Sequence, residues 1–164
     1  MIIKATRSDV LKTEAKHIAF AINKEGYNGI GLSGKVLNTY WSELAAYGEN
    51  EIGTVFSKKV GDKTFHAVVC YSLEEGWEED QVSLIKRCFD KINVPDGEEI
   101  STVAIGTGLI GVRTGADFQQ ILKGLNLSNK NIVLHSGFTY DEVMKICDEE
   151  KEVFKKLTKN SNWY

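Results

Sequence analysis

Ser101-Thr102-Val103-Ala104-Ile105-Gly106-Thr107-Gly108-Leu109-Ile110-Gly111 is the stretch that decides the fold. Thr102 to Ile105 is β-branched and apolar, so it is expected as a short buried strand. Gly106, Gly108 and Gly111 follow. Without a Cβ they let the chain turn tightly and bring backbone N–H groups close to a ligand. Thr114-Gly115-Ala116-Asp117 then reads as a capping box that opens a helix. Strand, glycine loop and helix start together direct fixed N–H donors and the positive end of a helix dipole at one point, which suits an anion. A tight turn with no ligand uses the same glycines, so this loop alone is weak evidence.

A second unit of the same kind lies upstream. His17-Ile18-Ala19-Phe20-Ala21-Ile22-Asn23 is mostly apolar and reads as a central strand, with helix as the alternative. It runs into Gly26-Tyr27-Asn28-Gly29-Ile30-Gly31-Leu32-Ser33-Gly34. Ser33 is expected to cap the next helix. Val36, Leu37, Tyr40, Trp41, Leu44 and Ala45 give that helix one apolar face, and Gly48 its stop.

The rest of the chain alternates between the two periods. Met1–Thr6 reads as a strand, Thr13–Lys16 as a helical turn, and Thr54–Val60 with Thr64–Tyr71 as a hairpin or as neighbouring strands. Acidic residues between Glu74 and Asp80 suit a solvated helix start better than a metal site. Val82 to Ile92 is an amphipathic helix, Val94–Gly97 a turn, Gly124 a helix stop, and Asn131–Ser136 a last strand. Phe138 and Val143 form a hydrophobic staple around a capping box. The final helix is expected to carry Val143, Met144, Ile146, Cys147, Val153, Phe154 and Leu157. This is the pattern of one α/β domain over residues 1–164, a three-layer αβα arrangement with a central mixed, mostly parallel sheet. Loops that follow parallel strands share one sheet edge, so both glycine loops are expected at one crevice.

Composition narrows the classes. Of the 164 residues 42% are hydrophobic and 26% charged, values of a water-soluble globular chain. A net charge of −3 lacks the basic footprint of a nucleic-acid or membrane-surface binder. No apolar run is long enough to span a bilayer, and the first residues enter a strand pattern without a leader layout. Cys70, Cys88 and Cys147 are scattered among apolar residues, so buried thiols and a cytoplasmic location are expected. His17, His66 and His135 show no ligand spacing, so no metal is expected.

Three nucleotide motifs compete. A Rossmann fingerprint over Gly106-x-Gly108-x-x-Gly111 needs an acid about twenty residues on, where Asn131 is the nearest counterpart. It also needs the helix to open within the glycines, and here the cap is read at Thr114. A P-loop over Gly29 to Lys35 needs a hydroxyl next, where Val36 stands.

Taken together, the two loops resemble those of the macro domain, a family that binds ADP-ribose. Ser8-Asp9-Val10 resembles its Gly-Asp-Ile, and Ile22-Asn23 ahead of Gly29–Gly34 resembles its Val-Asn and first glycine loop. Phe65-His66-Ala67-Val68 resembles its histidine-bearing strand, and Ile105–Gly111 its Ile-Gly-Thr-Gly-Ile-Phe-Gly. A phage-associated macro-like branch shares the last segment.

The resemblance implies a macro-like fold that binds ADP-ribose or a related nucleotide-diphosphate, without a cofactor. It assigns ligand contacts to Asp9, Asn23, Gly29, Gly31, Ser33, Gly34, Gly106, Thr107, Gly108, Leu109, Ile110, Gly111 and Phe138. Asp9 would accept from the adenine amino group, Asn23 would meet ribose hydroxyls, and Phe138 would cover a ring. The family's Asn-Ala-Ala-Asn is replaced by Asn23-Lys24-Glu25-Gly26, which removes an amide linked to hydrolysis. ADP-ribosyl hydrolase or ADP-ribose 1″-phosphate phosphatase activity would therefore fall to Asn23, Asn28 or His66. An interaction protein that has lost the pocket is the third reading.

Overall fold

The computed structural model of the chain describes residues 1–27 and 31–148. Six strands form one sheet: β1 (Ile2–Thr6), β2 (His17–Asn23), β3 (Val55–Val60), β4 (Lys63–Tyr71), β5 (Glu99–Thr102) and β6 (Asn131–His135). Their order is β1-β6-β5-β2-β4-β3. All neighbours are parallel except β3 and β4, which form the hairpin read from the sequence. β2 and β4 lie inside the sheet and are covered on both faces, which is why they read as near-continuous apolar runs.

Helices cover both faces. Helices α2 (Gln81–Asp90), α4 (Phe118–Leu127) and α5 (Tyr140–Asp148) pack on the face carrying Val68, Cys70, Ile100 and Leu134. On the other face, α1 (Gly31–Thr39) and two 3-10 turns, Val10–Lys12 and Ser42–Ala46, cover Ile18, Phe20 and Ile22. Trp41 and Leu44 are fully buried there. The apolar stripe seen in the sequence therefore spans α1 and a separate 3-10 turn, not one continuous helix.

Local chemistry sets the ends. Asp80 and Asp117 accept N–H bonds from Ser83 and Gln120 and cap α2 and α4. Thr139 and Glu142 exchange backbone-to-side-chain bonds of 3.0 and 3.2 Å, the capping box expected before α5. All three cysteines are buried free thiols. Burial pushes Cys88 and Cys147 up to about 11, away from reactive thiolate. No helix among the described residues is long and apolar enough to cross a membrane.

Several boundaries differ from the sequence reading. β5 ends at Thr102, and Val103 to Gly108 is already loop. Helix α3 (Leu109–Thr114) opens inside the glycines with Gly108 as its N-cap. Thr114 is thus the last residue of α3 and not a cap, and Gly115 ends that helix in the left-handed region. The first helical turn is Val10–Lys12, nucleated by Asp9, in place of Thr13–Lys16. Helix α1 starts at Gly31, so Ser33 lies in its first turn and does not precede it. Residues Val153, Phe154 and Leu157, expected on the final helix, lie outside the described residues.

Gly124 is not a stop. It sits inside α4 where α4 crosses α2. A Cβ there would lie 2.8 Å from both Ile85 Cβ and the Val82 carbonyl oxygen. Glycine at this point lets the two helices approach closely. In an exposed helix, Gly→Ala stabilises by about 1 kcal/mol. Here overpacking reverses the sign, and Gly124→Ala is expected to destabilise by about 1–3 kcal/mol in urea denaturation.

Candidate functional site

Four neighbouring parallel strands, β1, β6, β5 and β2, end on the same sheet edge. The segments that leave them face one another. After β1 comes Arg7-Ser8-Asp9, and after β6 comes Ser136-Gly137. With Gly31, Leu32 and Lys35 of α1 and Val103 beyond β5, they enclose an open cavity of about 770 Å³. The sheet edge beyond the carboxyl ends of strands is where α/β folds bind ligands.

The cavity floor is held by a directed hydrogen-bond chain. The Ser8 carbonyl only accepts, so His135 donates to it from Nδ1 over 3.0 Å. His135 Nε2 then accepts from Ser101 Oγ at 3.1 Å, and Ser101 accepts from Thr13 at 2.7 Å. This chain ties the ends of β1, β5 and β6 together beneath the pocket. Asp9 Oδ1 accepts the Leu11 N–H at 3.0 Å, which fixes the 3-10 turn along the rim.

The loop after β2 is rigid up to Tyr27. Asn23 Oδ1 accepts the Tyr27 N–H at 2.9 Å, while Asn23 Nδ2 donates to the Tyr27 carbonyl. Gly26 adopts φ +83° against the Gly48 carbonyl, where no Cβ fits. Glu25 accepts from Ser72 Oγ at 2.6 Å and from the Leu73 N–H at 2.7 Å. Burial works to raise its carboxyl, yet these bonds hold it below the usual range.

The loop after β5 owes two of its glycines to packing. A Cβ on Gly106, at φ +76°, would meet the Trp77 ring at 2.8 Å. A Cβ on Gly111 would meet the Gly106 carbonyl oxygen at 2.7 Å. Thr107 is buried and donates its hydroxyl to the Ala104 carbonyl, closing the turn. Gly108 faces open space. Because β5 pairs with β2, this loop and the Asn23–Tyr27 loop leave the same edge side by side.

Asp9 and Gly31 thus line the cavity. Asn28 and Gly29 lie outside the described residues, and Leu109 is known here only as the first residue of α3. Gly34 is buried within α1. Ile110 packs on the helical core. Phe138 is 3% exposed and packs on Phe118 at 5.6 Å, and it is not among the residues lining the cavity. The sequence reading missed Arg7, Ser8, Lys35, His135 and Ser136. Arg7-Ser8 and Ser136 each follow a strand, but nothing local says that β1 and β6 are neighbours.

No sequence-family description matches the chain, and no curated protein sequence matches it. Solved structures do. The macrodomain of Mycobacterium tuberculosis DarG shares 17% identity at a TM-score of 0.64, covering 82% of this chain and 97% of that one. A mutant Oceanobacillus iheyensis macrodomain with ADPR shares 17% at 0.60, covering 93% and 92%. Alphavirus P23pro-zbd shares 14% at 0.61 over 97% of this chain, which spans only 24% of that longer one. The fold of this chain is therefore that of a macrodomain: a mixed, mostly parallel six-stranded sheet between helices.

His66 is not at this cavity. It lies on β4, 1% exposed, with its side chain on the α2–α4 face. Ser57 Oγ sits 2.6 Å from its Nδ1, and its Nε2 meets His17 Nδ1 at 2.9 Å. His17 Nε2 in turn faces Glu98 at 3.0 Å. Since a carboxylate only accepts, neutral rings set one direction: Ser57 donates to His66, His66 to His17, His17 to Glu98. Burial, helped by His17, pulls His66 down to about 4. The unfolded chain therefore takes up this proton first, near pH 6.5. Stability from His66 is complete above that value and is lost as pH falls toward 4, by about 3 kcal/mol in all. Urea melts at pH 7 and pH 4.5 should show a larger loss in the wild type than in His66→Gln.

Proposed function

We propose that the chain binds ADP-ribose or a related nucleotide-diphosphate in this cavity. The observation that carries the reading is the convergence of the segments after β1, β5 and β6 and the α1 N-terminus on one open cavity of about 770 Å³, where Arg7, Ser8, Asp9 and Lys35 stand among apolar walls. That volume suits a small-molecule ligand. Asp9 keeps Oδ2 clear of its turn bond, so it can accept from an adenine amino group. Gly31 begins α1, and Gly108 caps α3 with nothing near its Cβ position. Both let a diphosphate approach backbone N–H groups, with the α1 dipole adding favourable potential. The Oceanobacillus iheyensis neighbour, of the same fold, has been solved with ADPR.

Binding without turnover is the reading that these side chains support. Both ends of the Asn23 amide hold the Tyr27 backbone, so Asn23 shapes the loop. His66 serves the Ser57–His17 chain on the far part of the sheet. Of the residues expected to carry hydrolase or phosphatase chemistry, Asn23 and His66 are thus engaged in structural bonds, and Asn28 lies outside the described residues. The open cavity also disfavours an interaction protein that has lost its pocket.

Titration calorimetry with ADP-ribose should give saturable binding well below 1 mM, about −4 kcal/mol or better. AMP and ribose 5-phosphate, each half of the ligand, should bind more weakly. Gly108→Glu brings a carboxylate to the loop, and its Cβ would meet no atom of the described residues within 4 Å. It should abolish binding while changing stability by less than about 0.5 kcal/mol. No heat with ADP-ribose at millimolar concentration would refute the proposal.

A further inference from the structure

We infer that the cavity selects an adenine nucleotide bearing an additional phosphate on its adenosine ribose. The inference rests on the nucleotide reading and asks what the cavity's two cations are for. Backbone donors at Gly31 and in the 103–108 loop supply the diphosphate cradle, where β2 and β5 end. Arg7 stands elsewhere. It follows β1, two strand spacings, about 10 Å, from β5 and three, about 14 Å, from β2. Lys35 is one helical turn beyond Gly31, about 6 Å along α1, and lines the same space. Both line the same cavity as Asp9, the proposed adenine contact.

The local charge is not balanced. Among the described residues that line the cavity, Arg7 and Lys35 are two cations and Asp9 the one acid, and Asp9 already spends one oxygen on Leu11. Arg7 also lies near Glu142, whose carboxyl is held low mainly by bonds from Thr139 and only secondarily by Arg7. Lys35 forms no ion pair among the described residues. His135 is spent on Ser8 and Ser101 and adds no competing acceptor. Plain adenosine offers these cations only neutral hydroxyls. A 2′- or 3′-phosphate offers charge-assisted bonds to both.

The test compares ADP-ribose with its 2′-phosphate and 3′-phosphate forms by calorimetry. At about 0.05 M NaCl the wild type should bind one phosphorylated form at least about tenfold more tightly than ADP-ribose. Raising NaCl to about 0.5 M should shrink that ratio, since the cations are exposed. Lys35→Met should bring the ratio close to one, and Arg7→Met should reduce it; thermal melts check that both variants fold. Binding of ADP-ribose with no gain from either phosphate overturns this inference alone. Failure of all three nucleotides overturns the nucleotide reading and the inference with it. A preference that survives in Lys35→Met also overturns it.

Discussion

Parallel pairing across β1, β6, β5 and β2 is the constraint on which the rest of the structure depends. Parallel strands start on one edge and end on the other, so their outgoing loops cannot avoid one another. Four chain segments far apart in sequence thereby meet: Arg7–Leu11, the start of α1 at Gly31–Lys35, Val103, and His135–Gly137. No single segment makes the site. The Ser8–His135–Ser101–Thr13 chain shows how tightly the geometry is held, because each link joins a different element.

The two buried histidine systems have opposite relations to that edge. His135 ends β6 and supports the cavity floor. His17 begins β2, so the His17–His66 pair belongs to the other end of the strands. One sheet thus carries a polar support beneath the pocket and a separate polar cross-link, running from Ser57 on the edge strand to Glu98 before β5. Residue type alone gives no means of telling these apart.

Periodicity made most of the fold legible. The apolar runs of β2 and β4, the pairing of β3 with β4, the amphipathic α2 and the α5 capping box all stand where their patterns place them. Glycine was harder to read, because one residue type answers several needs. Gly124 admits a neighbouring helix, Gly106 admits Trp77, Gly111 admits a carbonyl, and Gly108 has no close neighbour among the described residues. Thr114 and Asp117 looked like one cap, yet a helix end lies between them. Of the residues expected at the site from motif position, Asp9 and Gly31 line the cavity. Lys35 and His135 were not legible in this way, since their place depends on which strands become neighbours. Phe138 combined two signals, a ring cover and a staple with Val143, and the packing instead sets it against Phe118 of α4.

The central claim is that one edge of the sheet forms a nucleotide site, and amide NMR during titration with ADP-ribose addresses it most directly. The account predicts shifts concentrated in residues 7–11, 31–35, 103–108 and 135–137, with Ser57, His66 and Glu98 unmoved. Shifts centred on the Ser57–Glu98 chain, or none along the carboxyl edge at saturating ligand, would contradict it.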